Sequence, residues 1–199
     1  MIKNALFFTV VLSISGCSLL PWSSEPNEVL TFLPAEQLTN WDLTAKFSVS
    51  SEEGTESGSL RWINQADNDR LDILSPTGAV VARLTVGSDR ATLMTDEKTI
   101  SAASPDELLV ELLNVELPVS ALKYWVRGLD APTLSVDGVT KDDSGRIREL
   151  NQGGWQLAYS GTIAIESGSN RYEVPRRLTA TQGTMEIRWA STEWQTQVQ

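Results

Sequence analysis

The feature that most constrains this chain is a change of hydrophobic period that happens twice. From Trp41, apolar side chains recur at every second residue: Trp41, Leu43, Ala45, Phe47 and Val49 alternate with Asp42, Thr44, Lys46 and Ser48. Successive strand residues point to opposite faces, so this is the pattern of a half-buried strand. A polar turn over 51–57 leads to a partner at 58–63, then to runs at 70–75, 80–86, 91–95 and 98–101. These read as an antiparallel meander. Between two of the runs, Ser75-Pro76-Thr77-Gly78 places Pro where a β-turn needs a preset φ and Gly at its fourth position.

At Ser104-Pro105-Asp106-Glu107 the period becomes helical, with a capping Ser, Pro at the first helical position and Glu three residues after the cap. Leu108, Leu109, Leu112 and Leu113 form the apolar stripe of a helix that ends by about Val115. Pro118 opens a second helix, with Leu122, Trp125, Val126 and Leu129 at i, i+3, i+4 and i+7 and Gly128 as its breaker. Turn signals then return at Asp137-Gly138, Asp143-Ser144-Gly145, Gly153-Gly154 and Ser167-Gly168. They separate β-like runs at 134–136, 146–152, 155–160, 162–166, 178–181 and 185–189. Strands thus flank two amphipathic helices. About eleven short antiparallel strands in one sheet twist and curl, so the expected fold is mainly β with inserted helices. It is an open, incomplete antiparallel β-barrel whose concave side the helices lid.

Composition narrows the chemistry. The chain has no histidine, which removes the commonest general base, the usual nucleophilic triads and most zinc sites. No Gly-x-Ser-x-Gly, phosphate-cradling Gly-rich loop or dinucleotide fingerprint occurs. Asp67-Asn68-Asp69 begins like a calcium loop, but Leu71 stands at its fifth position and Asp72 where the turn needs Gly. It reads as a solvated turn. The expectation is therefore no catalytic residue, no metal and no cofactor. A formal net charge of −10 argues against nucleic acid and against electrostatic adhesion to anionic lipid.

The N-terminus supplies an address. Lys3 and an apolar run from Ala5 to Ile14 form a secretion signal too short to span a membrane. Ile14-Ser15-Gly16-Cys17 fits the lipobox of bacterial lipoproteins, where the leader is cut before a cysteine that becomes acylated. An ordinary signal peptide with a chance cysteine is the alternative. Cys17 is the only cysteine, so no intramolecular disulfide can form and the fold rests on its core. Three acyl chains amount to a permanent anchor, since one chain alone binds marginally. Ser18, rather than Asp, after the cysteine points to the outer membrane. Residues 1–16 are then a leader, 17–38 an acylated cysteine and a Pro-rich tether, and 39–199 a single, monomeric domain. Glu36 to Asn40 have room for a short helical turn. Trp22 and Phe32 suit either the headgroup layer or packing on the domain.

A set of motifs runs in order through the domain: Arg61-Trp62-Ile63-Asn64-Gln65, Ser75-Pro76-Thr77-Gly78, Leu117-Pro118-Val119, Tyr124-Trp125-Val126-Arg127-Gly128, Gln152 through Gly154-Trp155 to Tyr159, Val174-Pro175 and Ile187-Arg188-Trp189. Together with the lipobox these resemble the LolB family of outer-membrane lipoprotein receptors. The resemblance implies an apolar cavity beneath the helical lid that takes the acyl chains of other lipoproteins. It implies two partners, the soluble periplasmic carrier LolA and acylated lipoprotein cargo, besides the outer-membrane lipid that holds Cys17. Cargo passes to the inner leaflet of the outer membrane without nucleotide hydrolysis.

Candidate cavity residues are the in-pointing strand positions and helix undersides: Trp41, Leu43, Phe47, Leu60, Trp62, Leu71, Ile73, Leu84, Leu93, Leu108, Leu112, Leu122, Trp125, Trp155, Leu157 and Ile187. A stripe at strand or helix spacing does not distinguish a filled core from a lipid-accepting hollow. Arg61, Arg70 and Arg83 suit either contact with cargo headgroups or a solvated strand face. The family carries an apolar residue, commonly Leu, between Pro and Gly of the protruding turn that helps place cargo in the membrane. Here that residue is Thr77, and the insertion loop is expected to comprise Pro76, Thr77, Gly78, Ala79 and Val80; either Ala79 and Val80 supply its apolar tip, the reading adopted here, or the insertion role of this loop is weaker in this chain. Two other classes remain open. A structural or assembly lipoprotein working through protein contacts calls for a filled core, and a hydrolase using Ser with Lys or paired carboxylates calls for a polar cleft.

Overall fold

The computed structural model describes residues 31–65, 68–113 and 118–196, with side chains 111–113 left aside. The strands are β1 (Thr31–Leu33), β2 (Trp41–Ser51), β3 (Gly54–Gln65), β4 (Asn68–Leu74), β5 (Val80–Val86), β6 (Ala91–Thr95) and β7 (Thr99–Ala102). Helices α1 (Pro105–Leu113) and α2 (Val119–Trp125) follow. The chain then returns to β8 (Val136–Lys141), β9 (Ile147–Gln152), β10 (Trp155–Ser167), β11 (Asn170–Gln182) and β12 (Met185–Thr196). One sheet runs in the order β7-β6-β5-β4-β3-β2-β12-β11-β10-β9-β8, so β2 and β12 join the two halves at its centre. All these pairings are antiparallel, and β7 and β8 are left as unjoined edges. The sheet curls without closing, as the count of short antiparallel strands predicts.

Local irregularities bend the sheet. Runs 155–160 and 162–166 are one strand, β10, carried through Gly161 at φ +66 opposite Arg176. The strand β11 is likewise longer than the expected 178–181. Its early half contains Pro175, whose missing N–H hides strand character from a sequence reading. Bulges interrupt β12 against β2 at Ser191/Glu193 and β4 against β5 at Ile73/Leu74. β1 adds a short parallel strand to β11, with Thr31 opposite Asn170. Leu38, only 2% exposed, joins the core behind the 3-10 turn Ala35–Gln37. The folded unit therefore includes residues assigned above to the tether. Phe32 is 66% exposed and stacks on the Arg171 guanidinium, 5.4 Å from its ring centroid.

Tryptophans form the spine of the core. Trp41 meets Trp62 and Trp194 with ring centroids 5.4 and 5.3 Å apart, and Trp62 meets Trp189 at 6.3 Å. A second pair, Trp125 and Trp155, lies 5.9 Å apart and joins α2 to β10. Tilted and edge contacts of this kind add about 0.5–1.5 kcal/mol each beyond burial.

Candidate functional site

The two helices are seated on the concave face by polar contacts at their ends. Ser104 caps α1, its hydroxyl accepting from the Glu107 amide at 3.2 Å. Asp106 in the first turn of α1 accepts from the Ser120 amide at 3.0 Å, tying the two helix starts together. The α2 helix ends as expected at Gly128, φ +76, whose amide donates to the Trp125 carbonyl at 2.9 Å. A Cβ at this glycine would meet Pro175 Cγ at 2.9 Å, so space and backbone both require Gly. Gln152, fully buried on β9, then fixes the turn: its Oε1 accepts from Trp125 Nε1 and the Ala131 amide, both at 2.9 Å. Its Nε2 donates to the carbonyls of Ala131 and Leu134 at 2.8 and 3.2 Å.

The other face of α2 is tied down by charge. Lys123 Nζ donates to Asp69 Oδ2 at 2.8 Å, while Asp69 Oδ1 accepts from Trp62 Nε1 at 3.0 Å and Asn64 Nδ2 at 2.8 Å. Asp69 is 7% exposed on β4, which corrects the solvated-turn expectation for Asp67-Asn68-Asp69 at this residue. Charge alone reads as surface, but three donors converging on one carboxylate make its burial tolerable. Asp67 lies outside the described residues. Asp69→Asn is expected to cost about 2 kcal/mol, because Lys123 loses its charge partner. Urea unfolding measures it, and a change below about 0.5 kcal/mol would mean the contact is a surface pair without weight.

Beneath α2 lies a cavity of about 650 Å³. Nine of the sixteen expected residues line it: Phe47, Leu60, Leu71, Ile73, Leu84, Leu93, Leu122, Trp125 and Ile187. The sheet curl brings them together from β2 to β6 and β12, with α2 as roof. Trp41, Leu43, Trp62, Leu108, Trp155 and Leu157 do not line it and are packed core instead. They share the face and the spacing of the lining residues, but the tryptophan spine and the seats of α1 and α2 fill the space in front of them. The side chain of Leu112 and all of Cys17 lie outside the described residues. The wall also includes Val49, Ala82, Leu109, Val119 and Trp189, absent from the expected set. Val49 follows the Trp41 alternation and Trp189 lies two residues from Ile187, so period two was the signal for both.

The wall is apolar in depth. Its polar members Ser51, Glu53, Glu56 and Thr95 sit at the strand ends that carry the β2–β3 and β6–β7 turns. The β4–β5 turn is at this same end and has the predicted form: the Gly78 amide donates to the Ser75 carbonyl at 2.9 Å, and the Ala79 amide to Ser75 Oγ at 3.1 Å. Residues 76–80 are all exposed. The bulge sets Leu74 opposite Val80 and Ile73 opposite Ala82, so the alternation breaks and Val80 and Val81 are each 43% exposed. Arg61, Arg70 and Arg83 are on the outer face, where Arg61 chelates Asp42 and the other two hold Asp72. Both carboxylates raise the pKa of the arginines they bind, Arg61 and Arg83, chiefly by hydrogen bonding.

Among the described residues no cluster of side chains could hold a metal ion, and no helix is long and apolar enough to cross a membrane. A family model for the outer membrane lipoprotein LolB matches residues 39–194. Outer-membrane lipoprotein LolB of Alkalilimnicola ehrlichii is 31% identical over 187 residues, covering 92% of each chain. That of Pseudomonas fluorescens is 29% identical, covering 97% of this chain and 96% of its own. Two crystal structures share the fold at low identity. A LolA superfamily protein from Nitrosomonas europaea matches with TM-score 0.52 and 7% identity over 86% of this chain and 90% of its own. A DUF1329 family protein from Desulfovibrio piger matches with TM-score 0.55 and 8% identity over 82% and 88%. The match across the whole β-domain, on a curled sheet that encloses an apolar cavity, establishes that the chain belongs to the outer membrane lipoprotein LolB family.

Proposed function

We propose that this chain is a lipid-anchored receptor of the outer membrane, facing the periplasm, that takes lipoproteins from the carrier LolA and inserts them into the membrane. Cys17 carries the anchor. The observation that carries the reading is the cavity: about 650 Å³ of apolar wall, within the roughly 300–1,000 Å³ usual for ligand pockets. It suits hydrocarbon and offers no constellation for bond-making chemistry. The side chains of Phe47, Leu60, Leu71, Ile73, Leu84, Leu93, Leu122, Trp125 and Ile187 are the contacts for cargo acyl chains.

Transfer then runs down a series of affinities. Each buried methylene contributes about 0.8 kcal/mol, so a cavity that covers two more methylenes than the carrier's biases the handover about tenfold. The bilayer covers the whole chain and is the final sink. No energy source beyond that gradient is required. The test is transfer of a radiolabelled lipoprotein from the carrier to a soluble Cys17→Ala form. Cargo should move to it, and a folded receptor that takes none would end the proposal.

The insertion step falls to the β4–β5 turn. The apolar tip replacing the family's Leu is Ala79, Val80 and also Val81, which the bulge turns outward. Val80→Asp combined with Val81→Asp is expected to slow incorporation into vesicles at least about tenfold, since charge at a membrane surface loses the apolar contact. Uptake from the carrier should stay within about twofold. Normal incorporation would remove this loop from the mechanism.

A further inference from the structure

The apolar cavity stops short of the end of the sheet, and the strand register shows where. On β4 the inward side chains are, in order, Asp69, Leu71 and Ile73. Ile73 lines the first cavity, Asp69 lines a second hollow of about 410 Å³, and Leu71 lines both. β5 repeats the order, with Ala82 and Leu84 in the first cavity and Val86 in the second hollow. On β3, Leu60 belongs to the first and Trp62 to the second. Trp62, Leu71 and Leu84 are paired across the three strands, so the boundary is one row of the sheet. From the roof Val119, the first residue of α2, likewise lines both hollows, and both Leu71 and Val119 are buried.

Polarity changes at the same row. The polar members of the first cavity are confined to its rim, whereas the second hollow carries Asp69, Ser88, Ser120, Lys123 and Thr133. The Lys123–Asp69 ion pair stands in its wall at 2.8 Å with the lysine side chain 24% exposed, so water reaches it. A hydrocarbon chain gains about fourfold in affinity for every methylene it buries against apolar wall. It gains little beside a hydrated ion pair, whose groups resist losing water. We propose that Leu71 and Val119 are the end-stop of the acyl-chain cavity: they set the longest acyl chain that the protein covers, and the second hollow is the space they withhold. This rests on the first cavity being the acyl-chain site.

The test measures binding of a fluorescent peptide with a single amide-linked acyl chain to the soluble Cys17→Ala form, at probe concentrations below micelle formation. Chains of about 8 to 20 carbons should bind about fourfold tighter per added methylene until they meet the stop, and then level off. Leu71→Ala should move the levelling point to chains at least about two carbons longer, and Val119→Ala about one or more, since the surroundings of a truncated side chain close up only in part. Thermal unfolding checks each variant, and Val119→Ala, the smaller deletion, decides the matter if Leu71→Ala does not fold. Val86 lines only the second hollow. Val86→Trp alone should leave the levelling point where it is, and added to either opened variant it should restore it. Affinity that keeps climbing through the longest chain, or an unmoved levelling point in the opened variants, overturns the end-stop while leaving the acyl-chain reading in place. A shift that Val86→Trp does not reverse overturns the second hollow as the withheld space. A folded Cys17→Ala form that binds no chain of any length ends both readings.

Discussion

Replacing Gln152 by Leu is expected to destabilise the domain by about 4 kcal/mol, the largest loss predicted for a single side chain. Leu is close to Gln in size, so the loss is one of hydrogen bonding. Four buried groups would lose their partner together: Trp125 Nε1–H, the Ala131 amide and the carbonyls of Ala131 and Leu134. Each stranded group costs about 1–3 kcal/mol, and the two donors alone account for most of the total. The check is urea unfolding, where the midpoint should fall with little change in slope. Gln152→Glu is the informative companion. It keeps the acceptor for Trp125 and Ala131 but turns a donor toward two carbonyls into a carboxylate, so it should be at least as damaging. A Leu variant within about 1 kcal/mol of wild type would show that the Gln152 hydrogen bonds carry no weight in seating α2.

The second large effect is functional. Ala82→Trp is expected to reduce cargo uptake at least about tenfold while the domain remains folded, because Ala82 lines the cavity and is only partly buried. The new indole has open space before it, so the overpacking cost of about 1–3 kcal/mol in a filled core does not arise. The hollow is instead occupied by protein, and the acyl chains proposed to bind there lose the wall formed by Leu71, Leu84 and Leu93. Transfer from the carrier measures uptake and thermal unfolding measures the fold. A variant that is destabilised by several kcal/mol would reveal a filled core, and one that is stable and takes cargo normally would move the acyl site elsewhere.

Most strands, both helices and their order were legible because period two and period 3.6 are local properties of the sequence; β1, the early half of β11 and β8, which runs straight through Asp137-Gly138, were not. The Ser75–Gly78 turn was legible as well, because Pro and Gly determine it by backbone geometry alone. The cavity was legible only in part. Trp41 and Phe47 lie on the same face of β2, yet one is core and the other cavity wall. What separates them is where the tryptophan spine stands, and that follows from curl and from cross-strand neighbours distant in sequence. Asp69 was hidden for a related reason. Its partners Trp62, Asn64 and Lys123 lie on β3 and α2, and nothing in Asp67-Asn68-Asp69 announces them. Arg127, by contrast, stood within a recognised motif, but only the structure shows it buried, donating to the carbonyls of Lys123 and Leu38.

β1 enters the sheet beside the β10–β11 turn, at the end of the strands opposite the Val80–Val81 tip. With the lipid on Cys17 as proposed, the leash is thus fastened to the far end of the tool it serves. Fully extended, the chain from Cys17 to Thr31 reaches at most about 50 Å. The 13 residues of β10 stand about 43 Å tall. On the proposed function the two lengths are nearly equal, which is the condition for the Val80–Val81 tip to reach the bilayer that holds Cys17.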